Sequence, residues 1–521
     1  MKLAKNKAER GFFKMARRIG IIFSIFLLFN FAVFYKMNFI INDEKATADA
    51  GYSSYSVELS QNRGTVFDRN GELLTNNKTT TKAVFTPEAL DDKKSEIYLT
   101  AAQKKTLENG YPVATIVPPD FSMTGAVVTT VKSDVYSILP HILGYTNSDG
   151  EGVCGVQKSF NETLSGEKIA ASVRRDATGK MLSQGITFRG SENKNSVTLT
   201  IDKRWQTAAY TAAEELIKKG AVVVLDTKTA EILACVSLPD FDVNSPEKSL
   251  GSKDAPFINR AFSAYPVGSI FKIVTSAEAL KRGIDPQYNC TGQISLSTAR
   301  FTCMNDRAHG VCNIKSALGF SCNTYFVNLS TSLQSLQMYS TAKLLGFGRA
   351  IRLCDNMTSS SGVLPTVDTL KIAGEKANFA FGQGTLPAAP LTVASLIQTV
   401  ANGGKRVIPT LIKSVKTSGK TQNYEKSAPI FSLDEKTAKT LCDYMVEAVK
   451  SGTATGGAIS GLTIGAKTAT AETGNSLDTW YAGFCTDYGV SIAVMCEDGK
   501  TGSADCAPVF KRLIELYAQT A

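Results

Sequence analysis

Histidine is nearly missing: 521 residues hold only His141 and His309. That scarcity argues against a Ser-His-Asp hydrolase and a multi-histidine metalloenzyme. Clustered basic charge on a folded region is lacking too. The net charge is +10, but residues 1–18 carry seven Lys/Arg against Glu9. That segment holds +6 of the +10, leaving +4 over the other 503 residues, so no nucleic-acid partner is expected. Disorder is excluded as well, because 43% of the chain is hydrophobic and 20% charged.

What the basic segment precedes is apolar. Ile19 to Tyr35 runs seventeen residues without a charge, then come Lys36 and Met37–Ile41. A snorkelling Lys36 lets the span extend over 19–41, with 1–18 as a cytoplasmic tail and the rest of the chain outside. Ala46-Thr47-Ala48 is similar to a signal-peptidase site. The apolar run exceeds the ~7–15 residues of a secretory core, however, so an uncleaved anchor is expected.

Residues 43–195 carry short strand-like runs (Thr65–Phe67, Ala126–Val131) between polar turns and read as an elongated pedestal. From 196 to 521 the pattern sharpens into an α+β domain. A strand at Val197–Ile201 leads through an Asp202 cap into a helix reaching about Lys219. A hairpin turns at Asp226–Glu231, helices are expected at 269–283, 313–345 and 390–403, and a second hairpin turns at Thr486–Gly489. A final amphipathic helix covers 505–521. Hairpins at both ends imply an antiparallel sheet that pairs early strands with late ones.

Without histidine, a nucleophile needs a lysine or carboxylate as its base. Ser269-Ile270-Phe271-Lys272 places both on one helical face, with the serine at the helix N-terminus. The same spacing occurs at Ser165, Ser191, Ser245 and Ser340, but only Ser269 opens a long apolar helical period. Ser321-Cys322-Asn323 puts a polar triplet between apolar helical stretches, which is costly unless used. Lys467-Thr468-Ala469-Thr470 is expected on a sheet strand.

In this order the three motifs resemble those of the penicillin-binding proteins, specifically the monofunctional class B transpeptidases. Arg63–Gly71, Asn259-Arg260-Ala261, Phe381-Gly382-Gln383-Gly384, Ala401–Gly404 and Gly452-Thr453-Ala454 also look like class B segments. The resemblance implies a transpeptidase/β-lactamase-like fold, with a five-stranded antiparallel sheet flanked by helices. It implies a D,D-transpeptidase of the bacterial cytoplasmic membrane. Ser269 would be acylated by a peptidoglycan stem peptide or a β-lactam, and Lys272 would be its base. Ser321 would relay the proton, Asn323 would orient Lys272, and Lys467 with Thr468 would bind the substrate carboxylate. The N–H groups of Ser269 and Thr470 would form the oxyanion hole. A membrane glycan polymerase is the implied partner, and catalysis is expected to need no cofactor.

Four places depart from the family pattern, one being Tyr265-Pro266-Val267-Gly268 where Pro-Gly more usually precedes the serine. Ala469 and Ala466 stand where glycine is usual, and Gln157 where glutamate is common. A β-lactamase is disfavoured, because no glutamate between Asn323 and Lys467 has asparagine four residues later. A β-lactam-acylated sensor or scaffold is the other alternative, and eighteen residues before the span leave it no signalling portion. The 195 residues before the second domain likewise leave no room for a glycosyltransferase.

Eleven cysteines, an odd number, leave at least one thiol unpaired. Cys235, Cys485 and Cys496 sit in apolar runs and read as core residues. Cys303-x-x-Asp306-x-x-His309-x-x-Cys312 spaces four ligand types at three-residue intervals. A structural zinc is one expectation. A Cys290–Cys303 or Cys303–Cys312 disulfide, or free thiols, are the others.

Overall fold

A computed structural model describes residues 20–37, 54–133, 138–147, 149–175, 181–296, 299–474 and 476–520. The basic tail and Ala46-Thr47-Ala48 lie outside the described residues. Among those described, one helix, Gly20–Met37, is long and apolar enough to cross a membrane. At 1.5 Å per residue it spans about 27 Å, close to a bilayer's hydrocarbon thickness. The rest forms two compact units.

The smaller unit includes residues 80–131 and 168–190. It has two three-stranded sheets. In one, Lys168–Arg175 lies between Ser54–Gln61 and Met181–Arg189; in the other, Lys78–Phe85 lies between Val113–Ile116 and Ala126–Ser133. Its apolar clusters are small, centred on Phe85 and Leu107 and on Leu59 and Val173.

The larger unit holds residues 61–79, 132–167 and 191–521, so the compact units cross the boundary expected near 195. The reason is strand pairing. Thr65–Phe67 pairs in parallel with Ser196–Leu199, which pairs in turn with Ile412–Thr417. Beyond it, Asp68 accepts hydrogen bonds from the backbone N–H groups of Asn70 (2.7 Å), Glu72 (2.8 Å) and Lys203 (3.1 Å). The Arg63–Gly71 segment is thereby bound to the larger unit.

That unit runs through α1 (Lys203–Leu216), β1 (Gly220–Asp226), β2 (Ile232–Leu238) and α2 (Lys272–Lys281). Four short strands follow: β3 (Tyr288–Cys290), β4 (Gln293–Leu296), β5 (Ala299–Thr302) and β6 (Gly310–Cys312). Then come α3 (Asn323–Ser332), α4 (Pro390–Ala401), β7 (Ile464–Thr473), β8 (Ser476–Cys485), β9 (Val490–Cys496) and α5 (Ala507–Ala518). The region expected as helix over 313–345 is three helices, Ile314–Gly319, α3 and Ser335–Leu344.

β2 and β9 are buried at every position, and a strand with no wet face needs cover on both sides. The five-stranded antiparallel sheet β2-β1-β9-β8-β7 sits accordingly between helices. Strand alternation divides its side chains. Val223, Leu225, Ala493 and Met495 join the core that includes α4, whereas Val222, Val224, Ile492 and Val494 pack with Trp205 of α1 and Phe510 of α5. Trp205 also stacks on Tyr517 at 3.6 Å. α1 stops at Leu216, short of Lys219, because Ile217 is already extended as the chain enters β1.

Candidate active site

A single turn of 3-10 helix, Gly268–Phe271, feeds Ser269 directly into α2, which begins at Lys272. The serine is half-buried, while the lysine is wholly buried. Lys272 Nζ donates to the Ser321 carbonyl (2.7 Å), Ser321 Oγ (3.1 Å) and Asn323 Oδ1 (2.6 Å). Burial pushes its pKa down to about 7, with Cys322 and Cys303 acting in the opposite sense. Protonated and neutral forms are then both populated at neutral pH, which suits a general base.

Ser321 has φ 58°, a left-handed turn between the helix Ile314–Gly319 and α3. That turn aims its hydroxyl at Lys272. Asn323 Nδ2 donates to the Thr302 carbonyl at the end of β5 (2.9 Å), which holds its oxygen toward the lysine.

The third motif lies on the edge strand β7. Lys467 is wholly buried there, its Nζ donating to the Thr468 carbonyl (2.7 Å). Burial pushes its pKa well down, and the Lys272 charge lowers it further. Thr468 alternates to the opposite face, where its hydroxyl meets that of Thr453 at 2.7 Å. Thr453 N–H is anchored on the Gly319 carbonyl (3.0 Å), which accounts for the Gly452-Thr453-Ala454 segment.

Two glycines let the nucleophile turn and β7 come together. Gly268 has φ 51°, and a Cβ there would stand 3.1 Å from the Thr470 carbonyl and 3.4 Å from Ala469 Cβ. Gly382 has φ 89°, and its Cβ would overlap the Gly268 carbonyl at 1.9 Å. Glycine suits the positive φ at both places, and at Gly382 no Cβ fits without backbone movement. The extra methyl of Ala469 therefore points at the turn beneath Ser269.

Among the other supports, only Arg260 and the stretch Tyr265-Pro266 lie in segments that the sequence singles out. Trp480 Nε1 donates to the Pro266 carbonyl (2.9 Å), and Glu497 accepts from both Tyr265 Oη and Arg260 Nε (2.8 Å each). These contacts fix the segment just before Ser269.

The Cys/His cluster differs from its expected membership. Cys290, Cys303, His309 and Cys322 place one ligand atom each within 4.8 Å of one another; Asp306 and Cys312 do not join them. Asp306 sits exposed in a left-handed turn. The β3–β6 ladder pairs Cys290 with Gly310 and Tyr288 with Cys312. Cys290 is thus beside His309, and Cys312, two residues on, is buried near Cys322 but outside the set of mutually close ligand atoms. At 3.8 Å the Cys290 and Cys303 sulfurs are not bonded, since a disulfide needs about 2.05 Å. The two cysteines the spacing did not bring in were hidden, Cys322 inside the second motif and Cys290 outside the three-residue period.

Residues 220–515 match the transpeptidase family described as penicillin binding protein transpeptidase domain. Stage V sporulation protein D of Bacillus subtilis is 25% identical over 488 residues, 86% of this chain and 74% of the relative. Peptidoglycan D,D-transpeptidase PbpA of Mycolicibacterium smegmatis is 31% identical over 377 residues, 64% of this chain and 75% of the relative. The fold is similar to that of a chain from a peptidoglycan synthase complex that coordinates polymerization and crosslinking. There the TM-score is 0.72 at 22% identity, covering 97% of this chain and 98% of the other.

Proposed function

The chain belongs to the penicillin-binding protein transpeptidase family, and we propose that it is a peptidoglycan D,D-transpeptidase acylated at Ser269. The observation that carries this reading is the buried Lys272 amine. It lies one helical turn from Ser269 and is held by Ser321 and Asn323.

Neutral Lys272 takes the Ser269 proton as Oγ attacks the penultimate D-Ala carbonyl carbon of a stem peptide. The Ser269 and Thr470 N–H groups receive the oxyanion. As the C–N bond breaks, Ser321 passes a proton from Lys272 to the departing D-Ala amine. An amine from a second stem peptide then attacks the ester carbonyl, forming the cross-link and returning the proton to Ser269. Lys467 and Thr468 hold the terminal carboxylate, with Thr453 fixing the Thr468 hydroxyl. A β-lactam reacts at the same serine, its ring amide taking the place of the D-Ala–D-Ala bond.

The positive excess before the apolar helix supports an N-terminus inside and a catalytic unit outside. A membrane glycan polymerase is the proposed partner, in line with the synthase complex whose fold this chain shares.

Fluorescent-penicillin labelling of wild type beside Ser269→Ala and Lys272→Ala tests the assignment. The expected result is a long-lived covalent band in wild type, absent from the first variant and strongly reduced in the second. A band that decays quickly with drug hydrolysis would turn the reading to a β-lactamase. Undiminished labelling of Lys272→Ala would remove that lysine from the mechanism.

A further inference from the structure

Three thiols and one imidazole converge beside the Ser321 turn from four separate segments. Cys290 ends β3, Cys303 follows β5, His309 precedes β6, and Cys322 caps α3. Cys290, Cys303 and Cys322 are buried. The His309 imidazole beside them is half-buried, and no disulfide joins any of the cysteines.

Three of the six separations match a tetrahedral metal site, and all six lie within 4.8 Å. Zinc–sulfur bonds of about 2.3 Å and zinc–nitrogen bonds of about 2.0–2.1 Å, at tetrahedral angles, put two sulfurs about 3.8 Å apart and a sulfur and nitrogen about 3.6 Å apart. The Cys290–Cys303 and Cys303–Cys322 sulfurs are each 3.8 Å apart, and Cys290 Sγ is 3.5 Å from His309 Nδ1.

An outer layer of donors suited to thiolates surrounds them. The buried Thr324 hydroxyl donates to Cys290 Sγ (3.1 Å) and lies 3.6 Å from Cys303 Sγ and 3.5 Å from Cys322 Sγ. Tyr325 N–H donates to Cys322 Sγ at 3.4 Å. Such donors stabilise sulfur carrying negative charge, as metal-bound cysteine does.

We propose that Cys290, Cys303, His309 and Cys322 bind one structural zinc ion that clamps the β3–β6 segment to the start of α3. Three thiolates and an imidazole fill the tetrahedron, so the ion has no open position for catalysis. Binding releases the thiol protons to solvent and involves no change of oxidation state. Cys322 stands between Ser321 and Asn323, so the clamp also fixes both partners of Lys272. This last consequence rests on the transpeptidase reading; the zinc site itself does not.

The test is metal analysis of the full-length chain, purified in detergent without chelator or added metal. About one zinc per chain is expected, released stoichiometrically when an organomercurial titrates the thiols. Cys303→Ser and Cys322→Ser should lose it, whereas Asp306→Asn and Cys312→Ser should keep it. Cobalt exchanged into the wild-type site should give the charge-transfer and intense visible bands of tetrahedral thiolate ligation, a readout that needs no variant to fold. Zinc-free protein with readily titrated thiols and unchanged thermal stability would overturn the proposal. So would a native Cys290–Cys303 disulfide, or loss of zinc in Asp306→Asn with retention in Cys322→Ser. Chelation should also slow penicillin labelling about tenfold or more. Normal labelling of zinc-depleted protein would overturn the link to Ser321 and leave the metal site standing.

Discussion

Lys272 is asked to be two things: buried enough to lose its charge, and hydrogen-bonded enough to stay in place. Its three acceptors could satisfy all three N–H groups of an ammonium, while burial brings its pKa down to about 7. The reactive form is the neutral amine, so acylation should speed up as pH rises through that value. Between about pH 6 and about pH 8 the neutral fraction grows roughly tenfold, and the labelling rate constant should follow it. Lys467 supplies the opposite limb. It must be charged to hold a carboxylate, and burial and Lys272 both lower its pKa, so deprotonating it at higher pH weakens binding. Labelling rates measured with a β-lactam should rise through about pH 7 and fall again at higher pH. A flat profile would mean that the proton leaves Ser269 by another route.

At the scale of elements, the turn before α2 and the edge strand β7 must approach within contact distance, and Gly268 makes room. Alanine there meets a left-handed φ costing about 1–2 kcal/mol and a Cβ 3.1 Å from the Thr470 carbonyl. Gly268→Ala should cut the labelling rate severalfold while lowering the melting temperature by only a few degrees; labelling at the wild-type rate would show that β7 yields freely. A second element-level test concerns Arg63, whose Nε donates to Gln157 Oε1 at 2.9 Å. Gln157→Glu turns that into a charge-assisted bond worth about 1 kcal/mol more. The carboxylate's pKa falls on folding, so the gain should be present at neutral pH and vanish below about pH 4. Paired melts of the two proteins at the two pH values check it.

These elements also show where sequence reading succeeds. Strands β1, β2, β8 and β9 were legible because unbroken apolar runs between turns have few other solutions, and Ser269–Lys272 because two reactive groups share a helical face. Long-range partners were not legible. Thr453 against Thr468, Glu497 under Tyr265 and the parallel pairing of Thr65–Phe67 with Ser196–Leu199 depend on which segments meet, and local pattern is silent on that. The membership of the Cys/His grouping was illegible for the same reason. Three-residue spacing described Cys303 to Cys312 as one strip, but a hairpin register and a helix cap selected Cys290 and Cys322 instead.

For the whole molecule, buried ionisable groups tie stability to pH in two opposing ways. Burial holds Lys272 at a pKa of about 7 in the folded chain, against 10.5 for an exposed lysine. Between those values the unfolded chain holds a proton that the folded chain has released, so stability rises with pH over that window; below about 7 this group contributes no slope. Lys467, also depressed, adds in the same direction. Buried cysteines act in reverse. Burial pushes Cys235, Cys442 and Cys496 from 9.0 up to about 12, so the unfolded chain ionises first and stability falls as pH climbs above about 9. The melting temperature should therefore climb from about pH 7, crest near pH 9 and decline beyond it. Lys272→Met separates the two effects, because it removes one burial-depressed lysine without touching those cysteines. Its melting temperature should rise less between about pH 7 and about pH 9 than that of wild type, with the decline at higher pH retained. Parallel curves for the two proteins would mean that Lys272 enters the fold still charged, and the general-base assignment would fall with the stability argument.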